Sequence, residues 1–233
     1  MWILLTVLIA LLTWSYPRWR RNIAIKRWQR ALNLDAHEKA YNQLFNHLNG
    51  FTLSRQARIN NDAMEYVYGE IDFISFIALL SCTRPTANTV FYDLGSGIGT
   101  AVIACAMVFN VKKSCGIELF SELHTTALLQ QQRLAQTLDY NGAAKTVSFI
   151  HSNFLEVTFD DATLIFINAT AFFGETWTTL NQRLEQLAPG IQIITTSKRL
   201  IAPSYSVLHQ APVKMSWGFV NAYIHEKHRD IPY

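Results

Sequence analysis

The chain has 233 residues, 50% of them hydrophobic and only 16% charged, with 20 Lys and Arg against 17 Asp and Glu. That length and apolar content supply a full core, which excludes a disordered chain and a small disulfide-stapled scaffold. The net charge of +3 resides in residues 1–34, whose Arg18, Arg20, Arg21, Lys26, Arg27 and Arg30 face no acid. The remaining 14 basic and 17 acidic side chains leave residues 35–233 at −3, the wrong sign for a fold that binds nucleic acid through its own field.

Residues 1–17 contain no charged side chain and run almost continuously apolar from Trp2 to Trp14. At about 1.5 Å per residue this is the short end of a membrane-spanning helix. No basic region precedes the run to mark a cleaved leader, and the positive charge follows it. The expectation is a single-pass transmembrane anchor with the rest of the chain on the cytoplasmic side. Residues 18–34 interleave Trp19, Ile23, Ile25, Trp28 and Leu32 with Arg and Lys, the pattern of a basic amphipathic juxtamembrane segment. Residues 35–63 read as a helical extension broken at Asn49-Gly50, and residues 64–233 as the main domain.

From there on, short β-rich apolar runs alternate with helix-length segments. The predicted strands are Thr89–Leu94, Ser114–Leu119, Thr146–His151, Thr163–Asn168 and Gln192–Thr196; the predicted helices are 99–109, 121–139 and 174–188, the last stopped by Pro189-Gly190. This alternation specifies an α/β fold with a mostly parallel, doubly wound sheet of Rossmann-like type. An edge hairpin is expected over Met215–His225. In such sheets ligands bind beyond the carboxyl ends of the strands, so chemistry belongs just after each run. The three cysteines, Cys82, Cys105 and Cys115, form no C-x-x-C pair and no metal-ligand spacing, and no metal site is expected.

The first run ends Asp93-Leu94-Gly95-Ser96-Gly97-Ile98-Gly99. Glycines between strand and helix let backbone approach a ligand closely. The spacing is G-x-G-x-G, not the G-x-G-x-x-G of dinucleotide binders, and Asp93 would repel a pyrophosphate. S-adenosylmethionine, with a sulfonium, an ammonium and no phosphate, tolerates a carboxylate there. Glu118 ends the second run 19 residues after Gly99, where a fixed acid can accept both ribose hydroxyls. Asn153 and Phe154 follow the third run, placed to meet an adenine amino group and to cover a ring face. Asn168 ends the fourth run, beside the expected methyl-transfer point.

These blocks, together with Val67-Tyr68-Gly69-Glu70, Phe172-Phe173-Gly174, Thr195-Thr196-Ser197-Lys198 and Ser216-Trp217 followed by Tyr223-Ile224-His225, resemble the disruptor-of-telomeric-silencing methyltransferases, which are class I, non-SET lysine methyltransferases. The resemblance covers about residues 64–229. It implies that Tyr68 and Glu70 close over the cofactor and that Asp93, Gly95, Gly97, Gly99, Glu118, Asn153, Phe154 and Asn168 contact it. It also implies that Phe172, Trp217 and Tyr223 border a lysine channel, with Asn168, Tyr68 and Tyr223 as the candidate catalytic residues. The chain departs from the family where a second Asn would follow Asn168 (Ala169), where an acid would precede Phe154 (Asn153), and in its Ala222-Tyr223 pair. A weaker similarity, in architecture, is to membrane-anchored methyltransferases of the ATP-synthase c subunit. The implied activity is methyl transfer from S-adenosylmethionine to a lysine of a cytosolic or membrane-adjacent protein, rather than to a nucleosome. Alternatives are a methyltransferase acting on a small molecule, lipid or nucleic acid, and a membrane scaffold that binds the cofactor with reduced turnover.

Overall fold

The computed structural model describes residues 19–57 and 69–228. The chain divides into two compact units, Met1–Ala40 and Tyr41–Tyr233. In the first, residues 19–31 form helix α1, and Asn33 takes a left-handed turn (φ 50°) before α2 (Leu34–Phe45) begins. Arg20, Arg21, Lys26, Arg27 and Arg30 are exposed along α1. That density of cations is incompatible with hydrocarbon, and among the described residues no helix is long and apolar enough to cross a membrane. The anchor expected over residues 1–17 lies outside the described residues. The single-pass membrane localisation and the membrane partner inferred from it are therefore corrected: no described element supports either.

The second unit is built on a seven-stranded sheet of order β3-β2-β1-β4-β5-β7-β6. Its strands are β1 (Val90–Leu94), β2 (Lys113–Glu118), β3 (Val147–His151), β4 (Leu164–Ile167), β5 (Gln192–Thr196), β6 (Tyr205–Met215) and β7 (Gly218–Lys227). The first five are mutually parallel, and β7 enters antiparallel between β5 and β6. The helices are α3 (Gly50–Ala57), α4 (Phe73–Thr83), α5 (Thr100–Val108), α6 (Ser121–Gln136), the short α7 (Asn141–Ala144) and α8 (Gly174–Leu184).

Every residue of β1 is buried, as parallel strands covered on both faces require. The helix that follows it, α5, is apolar on all sides and buried from Thr100 to Met107. Ile165, Ile167, Ile193, Trp177, Leu180 and Leu184 form one side of the core with Tyr92 and Ile117. On the other side Phe76 of α4 meets the rings of Phe91 and Phe166 edge-on, at 6.1 and 5.1 Å. Strand order reverses between β1 and β4, and the carboxyl ends on either side of that reversal open a crevice.

The predicted strands agree with the observed ones to within a residue or so at each end. Elements not foreseen include α4 and the first strand of the hairpin. Helix α4 reads FISFIALLSCT, apolar nearly throughout, so it gives no amphipathic period; Asp72 caps it by accepting from Ser75 N at 3.1 Å. The hairpin is also longer than Met215–His225, because β6 begins at Tyr205. Its exposed stretch through His209 and Gln210, and its Pro212, are features of an edge strand that hide the strand pattern.

Ile165 is fully buried at the centre of the sheet. Replacement by Ala is expected to cost about 3 kcal/mol, read as a lower urea midpoint at unchanged m. A change under about 1 kcal/mol would contradict the packing described.

Candidate active site

The turn after β1 is the floor of the crevice. Gly95 and Gly99 both have left-handed backbones, at φ 88° and 87°. A Cβ at Gly99 would lie 2.6 Å from the Phe149 ring, and one at Gly95 would meet the tip of Phe172 at 3.3 Å. Conformation and space thus both call for glycine. Glu118, buried at the end of β2, accepts from Gly97 N through Oε2 at 2.7 Å and from Phe120 N through Oε1 at 2.9 Å. These two bonds hold the carboxylate rigidly beside the glycine turn while leaving further lone pairs for a ligand. Burial raises the Glu118 carboxyl above its ordinary range despite the backbone donors. Asp93 is raised well above that range, first by burial and then by the charge of Glu118.

Ser96, between the first two glycines, is buried, and its Oγ has no hydrogen-bond partner. It lies over Gly116, where a Cβ would come within 2.5 Å of that oxygen. A buried hydroxyl left without a partner is costly.

A second group of residues forms the opposite wall. Asn168 donates from Nδ2 to Gly69 O at 2.8 Å, and its Oδ1 accepts from Thr196 Oγ1 at 2.7 Å and Thr170 Oγ1 at 3.0 Å. Thr170 is bonded in turn to Ser197 Oγ at 2.7 Å. The ends of β4 and β5 are thereby tied to the segment Gly69–Asp72. That segment is also fixed to the end of β6: Ser216 N donates to Glu70 O at 2.8 Å, Asp72 N donates to Lys214 O at 2.9 Å, and Ile71 bridges Met215. The ring of Trp217 occupies the place of a side chain at Gly69, where a Cβ would fall 1.6 Å from it.

Between these walls lies a cleft of about 1080 Å³, its open mouth included. Of the residues singled out in the sequence, it gathers Glu70, Asp93, Gly95, Gly97, Glu118, Asn153, Phe154, Asn168 and Phe172. Asn153 spends its Oδ1 on Leu155 N at 2.9 Å, an Asx turn that shapes the loop after β3. Gly99 starts α5 and does not itself line the cleft. Tyr68 lies outside the described residues. Tyr223 does not join the group: it sits on β7 opposite Thr195, its ring 5.0 Å beneath the Arg199 guanidinium.

The cleft also contains residues not foreseen, among them Ser54 of α3, Thr100, Phe120 and Thr176. Ser54 sits in an ordinary helical stretch, and nothing local in the sequence marks it. His225 has a structural role. Buried His225 donates from Nδ1 to Ile193 O at 3.2 Å and accepts from Leu200 N at 3.3 Å, and burial lowers its pKa. His124 and His151 stack at 5.3 Å. Among the described residues no group of three or more His, Cys, Asp or Glu side chains could hold a metal ion.

Solved structures share this architecture. An RNA methyltransferase from Salinibacter ruber, in complex with S-adenosyl-L-homocysteine, matches with a TM-score of 0.52 at 22% identity over 67% of this chain and 92% of its own. A SAM-dependent methyltransferase from Geobacter sulfurreducens, bound to the same molecule, matches at 0.54 and 14% identity over 77% of this chain and 98% of its own. At these identities they establish the fold. In sequence, the chain is 30% identical over 118 residues to a protein-lysine N-methyltransferase of Saccharolobus islandicus, covering 50% of this chain and 67% of that one. It is 29% identical over 154 residues to the H3 lysine-79 specific histone-lysine N-methyltransferase of Kluyveromyces lactis, covering 61% of this chain but only 26% of that protein. The family described as "Histone methylation protein DOT1" matches residues 54–218, well over half of the chain. The glycine turn, the fixed Glu118 and the Asn168 wall all fall within that match, and the protein belongs to the DOT1 family of S-adenosylmethionine-dependent methyltransferases.

Proposed function

We propose that the protein methylates the side-chain amine of a lysine in another protein. The observation that carries this reading is the chemistry of the cleft: two buried carboxylates, Asp93 and Glu118, beside a glycine turn, a combination hostile to phosphate and suited to a cationic ligand bearing a ribose. When bound, S-adenosylmethionine supplies an electrophilic methyl group on its sulfonium. Glu118, already immobilised by Gly97 and Phe120, would accept the ribose hydroxyls. Asp93 would face the positive charge of the methionine portion.

Asn168 reads as the residue that fixes the wall at the transfer point, because its amide is already committed to Gly69, Thr170 and Thr196. The incoming lysine must be neutral, since only the free amine attacks. Half-exposed Phe173 and Trp217 offer apolar surface for an approach that would lower its pKa by desolvation. The cleft would hold the amine in line with the sulfonium methyl group that the cofactor supplies, and the methylated nitrogen would release its proton to solvent. Positioning and exclusion of water are the protein's main contributions to such a displacement. The names of the relatives support lysine as the acceptor, and the acidic fold supports protein over nucleic acid.

The reading is tested by calorimetric titration of the full chain with S-adenosylmethionine, followed by incubation of labelled cofactor with cytosolic protein, histones and RNA. Label recovered as methyl-lysine is expected; label in RNA alone would overturn it. Glu118→Ala should weaken cofactor binding roughly a hundredfold, about 3 kcal/mol. Asn168→Ala, which releases the Gly69 wall, should weaken cofactor binding about tenfold and lower kcat about tenfold or more; normal binding and turnover would remove Asn168 from both roles.

A pH dependence follows from Asp93. Its carboxyl is raised in the fold, so the ionised form opposes folding: its stabilising contribution is full below the ordinary carboxylate range and is lost as pH rises through the raised value. Asp93→Asn should therefore melt higher than wild type without ligand. The difference should be absent near about pH 4 and grow toward neutrality, while cofactor affinity falls. A pH-independent difference in melting temperature would contradict the assignment.

A further inference from the structure

Two cations stand behind the cleft without lining it, and both grip the backbone of residues that do. Arg183, near the end of α8, donates from Nη1 to Phe154 O at 2.7 Å and from Nη2 to Val157 O at 2.6 Å; its guanidinium lies 4.8 Å from the Phe159 ring centre. Lys198, thrown back by the left-handed turn at Ser197 (φ 66°), donates from Nζ to Phe172 O, with the Phe173 ring 3.4 Å away. Neither forms an ion pair with a carboxylate among the described residues.

Two of the three gripped carbonyls belong to Phe154 and Phe172. Their rings meet at 5.1 Å and 52° and both line the cleft. They belong to different loops, one after β3 and one after β4, with no described backbone hydrogen bond from one to the other. Hydrogen bonds from a charged donor to a carbonyl are stronger than neutral ones, and the planar guanidinium fixes two carbonyls of one loop in a single geometry. A buried salt bridge would satisfy these cations equally well; carbonyl partners instead direct their charge to the placement of two loops.

We propose that Arg183 and Lys198 are positioning residues that set the separation and tilt of the Phe154–Phe172 pair, and thereby restrict the cleft to an unsubstituted adenine ring. The proposal rests on the reading that the cleft takes S-adenosylmethionine. Loosening either grip would let the rings part and admit a bulkier purine.

The test compares the binding of S-adenosyl-L-homocysteine and its N6-benzyl derivative to the full-length wild type, Arg183→Met, Lys198→Met and the conservative Arg183→Lys and Lys198→Arg, at a temperature where circular dichroism shows each folded. Wild type should favour the unsubstituted ligand about a hundredfold, and the Met variants should reduce that ratio about tenfold or more. Lys198→Arg should restore it, and Arg183→Lys, which keeps the charge but loses the fork, should restore it only in part. A purely structural role would weaken both ligands equally and leave the ratio unchanged, which overturns the proposal. Wild type binding neither ligand would overturn the cofactor reading, and this inference with it.

Discussion

The amide of Asn168 is the interaction on which the cleft depends. Three segments that are far apart in the chain meet at one side chain: Gly69 ahead of the sheet, Thr170 beyond β4 and Thr196 at the end of β5. Because Oδ1 accepts two hydroxyl donors, the amide cannot flip without losing both, and its nitrogen is obliged to face Gly69. The segment that roofs the cleft is therefore registered against the carboxyl ends of the strands by a network whose members satisfy one another. Such networks favour a single arrangement strongly, since a half-satisfied one is worse than none.

The floor follows the opposite logic. Asp93 and Glu118 are buried carboxyls whose desolvation the fold leaves partly unrelieved. Proteins store such costs where a ligand will relieve them. The roof is thus complete in itself and the floor awaits a partner, a division suited to a site that must bind tightly and still hold its geometry when empty. Arg183 and Lys198 extend the roof's pattern to the aromatic side wall, using charge where the floor uses backbone N–H groups.

Much of this was legible in the sequence. The glycine turn, Glu118 and Asn168 are separated along the chain by strand-plus-helix lengths, so a parallel sheet necessarily delivers them to one edge, and the spacing reveals it. Ser54 and the pairing of Gly69 with Trp217 depend on where a helix and a hairpin pack, which no local pattern encodes. Helix α4 was lost because its outward positions carry residues such as Ala78 and Cys82, too apolar to mark an amphipathic period. Tyr223 was placed by likeness of motif, and the register of β7 against β5 sets its ring beneath Arg199 instead. The apolar stretch at residues 1–17 was weighed by composition alone, and the described helix that follows it is too densely charged to extend a membrane span.

The contact between Gly69 and Trp217 has a consequence for the order in which the protein can be made. Synthesis proceeds from the amino terminus, and residue 69 emerges long before residue 217. The parallel strands can assemble as they appear, yet the roof is held only through Asn168 until the end of β6 and the turn that carries Trp217 have left the ribosome. The cleft is thus among the last features to form in a nascent chain, and a truncated or stalled product that already has a sheet still lacks an enclosed binding site.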